Sequence, residues 1–154
     1  MKQYPPPPSP EPDAARTRRR LPAFHPVPCA RRDGWTAARQ GAFVGWLAET
    51  RSVAEAAKRV SMGRESAYRL RRRAGAAGFA AAWDAALGKP HTPVDLASTK
   101  ATGLAAHERL AAGLVEVRMH RGRYAGSHWK PDMNALLQHG AAMERAAHGL
   151  ADTG

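Results

Sequence analysis

Between Val53 and Arg73 the chain reads VAEAAKRVSMGRESAYRLRRR, two short apolar-periodic segments separated by SMG. Val53, Ala56, Ala57 and Val60 share one face of the first segment, and Ala67 and Leu70 share one face of the second. A joint this short forces two helices to cross at close range. Such a crossing needs a small residue where the helices touch, supplied by Ala57, and an apolar plug for the turn, supplied by Met62. SVAE at 52–55 has the pattern of a capping box, with the Ser52 hydroxyl on the Glu55 amide and Glu55 reaching back. A third constraint lies in the turn. The turn residue of such a pair commonly takes a left-handed backbone, and here it is Ser61, with glycine two places later at Gly63. A non-glycine residue in that conformation costs roughly 1 kcal/mol.

The segments around this pair extend the same pattern. DGWTAARQGAFVGWLAET predicts a helix from an N-cap at Thr36 to about Glu49, with Trp35, Phe43, Trp46 and Leu47 directed to a core. The helix after SMG should run from Arg64 to about Arg73 and be broken by Gly75 and Gly78. A fourth helix, Phe79 to Leu87, places Phe79, Trp83 and Leu87 on one stripe. These elements define an expected domain over residues 33–88.

The flanks read differently. Residues 1–32 hold most of the prolines, including Pro5 to Pro8, and a basic cluster at Arg16, Arg18, Arg19 and Arg20, so a disordered arm is expected there. Its arginines could grip phosphates or a minor groove, or simply be solvated. Pro90 and Pro93 make 89–103 a linker. Residues 104–150 should form a helix to about Gly113, a hairpin in which Val115, Val117 and Met119 alternate with Glu116, Arg118 and His120, and an amphipathic helix from Lys130-Pro131-Asp132 carrying Met133, Leu136, Leu137, Gly140 and Met143. The fold class expected is mainly α: about four short helices, followed by a short β-hairpin and an amphipathic helix.

Charge narrows the partners. With 24 Lys and Arg against 13 acids the formal net charge is +11, which suits a polyanion. Arginine dominates that charge, and its planar fork matches phosphates and guanine edges. A single cysteine, Cys29, excludes an intrachain disulfide and a cysteine-based zinc site and fits a reducing cytoplasm. The seven histidines lack metal-binding spacing, so no metal or cofactor is expected. No apolar run suits a membrane span, and MKQYPPPP does not open a signal peptide, so a cytoplasmic, nucleoid-associated chain is expected. Scattered acids and serines with local roles support no nucleophilic or acid–base catalysis, so an enzyme is not expected. RNA binding lacks an aromatic platform.

Residues 53–72 resemble the helix-turn-helix of bacterial DNA-binding proteins. More narrowly, GWTAARQGAFVGWLAET, the helix pair and AYRLRRR through AAWDAAL resemble a group of small proteobacterial helix-turn-helix proteins regarded as transcriptional regulators, with similar modules in resolvase-type recombinases and phage terminase small subunits. The resemblance covers about Asp33 to Leu87 and, more loosely, RGRYAG and the KPD helix. It implies double-stranded DNA as the partner, with the 64–73 helix in the major groove. Arg64, Glu65, Tyr68, Arg69 and Arg72 are then the base-contact candidates, and Gly63, Ser66, Arg71 and Arg73 the phosphate contacts. Cations at a helix C-terminus also complement its dipole, a reading that needs no ligand. Residues 104–148 would serve a homodimer. The hairpin, with Arg118, Arg121, Arg123, His128 and Lys130, would act as a wing on DNA, cover the C-terminal helix or mediate dimerisation. A terminase-like packaging adaptor and a nonspecific architectural DNA binder are the alternatives to a regulator.

Overall fold

The Thr36 hydroxyl accepts from the Arg39 amide at 3.2 Å and starts a helix, α1, over Ala37–Thr50. Arg51, at φ 60°, ends it by turning its amide back to the Leu47 carbonyl. The computed structural model describes residues 21–151, so the basic cluster at 16–20 and the Pro5 to Pro8 run lie outside the described residues. After α1 come α2 (Val53–Arg59), α3 (Arg64–Arg71), α4 (Ala77–Ala86), α5 (Thr99–Thr102), α6 (Ala106–Ala112), the antiparallel strands β1 (Leu114–His120) and β2 (Arg123–Lys130), and α7 (Met133–Ala151). The described part is mainly α with one two-stranded hairpin.

Several boundaries differ from the sequence expectation for local reasons. Only half of the capping box forms: Ser52 Oγ accepts from the Glu55 amide at 3.2 Å, while the Glu55 carboxylate turns to Arg59 one helical turn on. Helix α3 ends at Arg71, two residues early. Gly75, at φ +82°, supports the break, but Gly78 lies inside α4, where the absence of a side chain lets it sit against Phe24 Cβ. The linker contains α5, capped by Ser98.

The largest correction concerns the expected arm. Residues 21–32 are not free of the fold: Phe24 exchanges both backbone hydrogen bonds with Val115 at 3.1 and 2.9 Å, and Phe24 and Val27 are buried. Gln40, buried on α1, gives and takes hydrogen bonds with the Val27 backbone and also donates to the Trp35 carbonyl. An extended segment needs few amides to be satisfied in this way, so its prolines do no harm.

One core runs through what looked like two domains. Phe43, Val44 and Leu47 of α1, Phe79 and Trp83 of α4, Phe24, and Val115 and Val117 of β1 are all in the same buried cluster. The hairpin reaches that cluster across α1, on the face bearing Gly41 and Gly45. A Cβ at Gly41 would meet Val115 and Ser127, and one at Gly45 would fall within 2.1 Å of the Tyr124 ring. Tyr124 is held there by Trp46, at 5.1 Å between ring centres, and by the hydrogen bond its backbone N–H donates to the Glu49 carboxylate. Arg121 and Gly122, both at positive φ, close the two-residue turn of the hairpin with the hand that matches strand twist.

Gly45→Ala should therefore destabilise the protein, by about 1–3 kcal/mol, although alanine favours helix over glycine by about 1 kcal/mol. Thermal denaturation checks the sign, and adding Tyr124→Ala should recover part of the loss. A Gly45→Ala protein more stable than wild type would contradict the packing described.

Beyond the hairpin, Arg109 of α6 is 1% exposed and pairs with no carboxylate among the described residues. Its guanidinium donates instead to the carbonyls of Leu104 and Leu96, to Thr99 Oγ1, and to Gln138 Oε1 of α7. That fork ties the 96–104 segment to both C-terminal helices. No described helix is long and apolar enough to cross a membrane.

Candidate nucleic-acid interface

Ala56 and Ala57 turn the inner face of α2 against the core, and α2 ends in a turn that satisfies its last carbonyls. The Ser61 amide bonds to the Lys58 carbonyl at 3.0 Å and the Met62 amide to the Ala57 carbonyl at 2.9 Å. These are the paired closures of a Schellman cap, with Ser61 at φ +59° in the position that favours glycine. Met62 packs against the core. Gly63 follows in an extended conformation any residue could adopt, and it caps α3 without a side chain.

Helix α3 is anchored on one side and open on the other. Ala67 and Leu70 are buried. Ser66 donates to the Gly63 carbonyl at 2.7 Å and accepts from Trp35 Nε1 at 3.1 Å, so its hydroxyl is committed to holding the helix start. Tyr68 is half-buried with its ring 5.1 Å from that of Trp83. Arg71 forms a two-pronged pair with Asp84 of α4, at 3.1 and 3.3 Å, and its guanidinium lies over Trp83.

The nine sequence candidates therefore divide. Arg64, Glu65, Arg69, Arg72 and Arg73 are exposed, as is Gly63. Gly63, Arg64, Glu65, Ser66, Tyr68, Arg69 and Arg72 line one open concavity of about 900 Å³. Ser66 and Tyr68 border it but have structural work, and Arg71 faces α4 rather than outward. Arg71, expected from sequence to contact phosphate, pairs with the one acid of α4, Asp84, across the α3–α4 crossing. Spacing carried that signal: Arg71 stands four places after Ala67 on the inner side.

Most of the arginine charge on this surface is uncompensated. Arg31, Arg59 and Arg71 each pair with a carboxylate, whereas Arg64, Arg69, Arg72 and Arg73 pair with none among the described residues. Arg64 sits 5.7 Å from the Tyr68 ring centre, which restrains it without neutralising it. Glu65 is the one acid on this face, in the first turn, where it complements the helix dipole.

The hairpin adds cations elsewhere. Arg118, Arg121, Arg123 and His128 are exposed, while Lys130 donates to Glu116 across the strands and holds its carboxyl below the ordinary carboxylate value. The hairpin covers α1 rather than the C-terminal helix. Trp129, half-exposed, is fixed by its Nε1 hydrogen bond to the Ala112 carbonyl. Among the described residues no three His, Cys, Asp or Glu side chains converge as a metal site would require.

Protein-family models, curated proteins and solved structures yield no match to this chain.

Proposed function

We propose that the chain is a helix-turn-helix DNA-binding protein and a transcriptional regulator, with α3 as the helix that enters the major groove. The observation that carries this reading is the exposed row Arg64, Arg69 and Arg72, without carboxylate partners among the described residues, on a helix braced behind by Leu70, Arg71–Asp84 and Ser66–Trp35. A backbone braced in this way need not be ordered on binding, and the planar guanidinium fork matches a guanine edge or a phosphate. Arg64, Arg69 and Arg72, with Glu65 as an acceptor for cytosine N4, read bases. Arg73 and the Gly63 backbone contact phosphate, and Tyr68 contributes only its outer edge. The reading includes no enzymatic activity and places the protein in the cytoplasm on DNA.

The test is duplex affinity measured by fluorescence anisotropy across a salt series, after a bound site has been selected from random duplexes. Wild type should show a steep loss of affinity with salt. The Arg64→Ala, Arg69→Ala, Arg72→Ala triple variant should lose site preference, at about 1–3 kcal/mol per base contact removed, and Arg73→Ala should lower the magnitude of the slope by about 0.9, one phosphate contact. An unchanged slope with unchanged preference would remove α3 from the interface.

A further inference from the structure

Helix α7 has two faces, and over its first half the described residues pack against only one. On the inner side Ala135 is fully buried and Gln138 bonds to Arg109 and to the Ala97 carbonyl. On the opposite side Met133, Leu136 and Met143 are 58%, 43% and 61% exposed. Residues 140–148 are all exposed, so the second half of this 19-residue helix runs past the α6 platform. Exposed apolar side chains aligned in one stripe are what a protein–protein contact surface presents.

The stripe has a definite period. Met133, Leu136, Gly140, Met143 and Ala147 are separated by three, four, three and four residues, the spacing of a coiled-coil seam. No charged residue interrupts it; Glu144 and Arg145 lie outside. Large and small residues are distributed so that the seam fits itself in one direction. About a two-fold axis between Gly140 and Met143, an antiparallel copy sets Gly140 against the partner's Met143 and Leu136 against the partner's Ala147. Parallel pairing would set Gly140 on Gly140 and leave a void.

We propose that α7 is a self-association helix, through which two copies of the chain pair antiparallel along this seam. Pairing over 136–147, about 18 Å of helix, with Met133 at the rim, removes on the order of 1,000 Å² from water over both copies, the level at which specific interfaces begin. It also supplies the exposed half of α7 with the tertiary packing an isolated helix of this length lacks. The inference does not depend on DNA binding.

Sedimentation equilibrium of the full chain over a concentration series should give twice the 16.6 kDa chain mass at the upper end. Met143→Lys and Leu136→Lys should each shift it to the monomer, with thermal denaturation showing that the core still folds. A wild type that stays monomeric throughout, or charge variants that both remain dimeric, would overturn the proposal. So would a chain without residues 1–20 that dimerises where the full chain does not, since the arm would then cover the seam within one copy. For direction, Gly140→Cys and Met143→Cys chains in a Cys29→Ser background should form the mixed disulfide on oxidation together; a predominance of the two same-site disulfides would overturn the antiparallel arrangement.

Discussion

Phe79→Ala is expected to lower the stability of the protein by about 3–5 kcal/mol, a large share of the roughly 5–15 kcal/mol that a domain possesses. Phe79 is fully buried and its ring meets those of Phe24, Trp35, Phe43 and Trp83, with centres 5.8 to 6.5 Å apart. Each of those rings is held from another direction: Phe24 by its bridge to Val115, Trp35 by Ser66, and Trp83 by Tyr68 and Arg71. They cannot all collapse into the vacated space, so the cost should lie at the upper end for such a truncation. Phe79→Leu keeps most of the volume and should cost far less. Urea denaturation of both variants measures the difference, and a loss below about 1 kcal/mol in Phe79→Ala would mean that the cluster is not the keystone of the core. The same cluster braces α3 through Trp35 and Trp83, so the damaged core should also soften the arginine-bearing helix.

Asp132→Ala should be comparably damaging, at about 3–5 kcal/mol for breaking a buried pair. Asp132 and His25 are 4% and 2% exposed and their Oδ2 and Nε2 atoms are 2.6 Å apart. Oδ1 of the same carboxylate accepts from the Ala135 amide at 2.9 Å and so caps α7. One side chain thus joins the segment before α1 to the last helix. Burial, the largest single influence, pushes the Asp132 carboxyl up; the His25 and Ala135 hydrogen bonds and the nearby charge of Arg109 outweigh it and hold the group below its ordinary 3.8. An ionised carboxylate can only accept, so Nε2 of His25 carries the proton between them.

The pH dependence follows from that direction. A carboxyl with a depressed folded-state value contributes stability that is fully present above its unfolded value, near 3.8, and is lost as the pH falls through the lower folded value. Asp132→Asn keeps an acceptor for the cap but cannot ionise, so its stability should fall less steeply than that of wild type below about pH 4. Parallel acid denaturation curves for the two proteins would show that Asp132 is not the linked group.

Much of the helical framework was legible in the residues because its causes are short-range. The Thr36 and Ser52 caps, the left-handed Ser61, the Met62 plug and the inward Ala67 and Leu70 depend on neighbours within about one helical turn, and each formed as its chemistry dictates. The Arg121-Gly122 hairpin turn belongs to the same class. What was misread depended on partners far along the chain. Prolines at 22, 26 and 28 suggested an arm, yet Phe24 pairs with Val115 and His25 with Asp132, 107 residues away. Gly41 and Gly45, four apart in α1, mark the flat strip on which the hairpin lies, a role set by residues far along the chain.

The candidate interface divides along the same line. From sequence, α3 was identifiable as an arginine-bearing helix with Ala67 and Leu70 inside, because periodicity alone assigns the faces of a helix. Which arginines remain for a ligand was decided only in three dimensions, where Asp84 and Trp83 take Arg71 and Trp35 takes Ser66. Local sequence determines backbone conformation through caps, turns and side-chain period; tertiary structure decides the fate of each charge and each apolar stripe, because a partner's distance in space is not written in its distance along the chain.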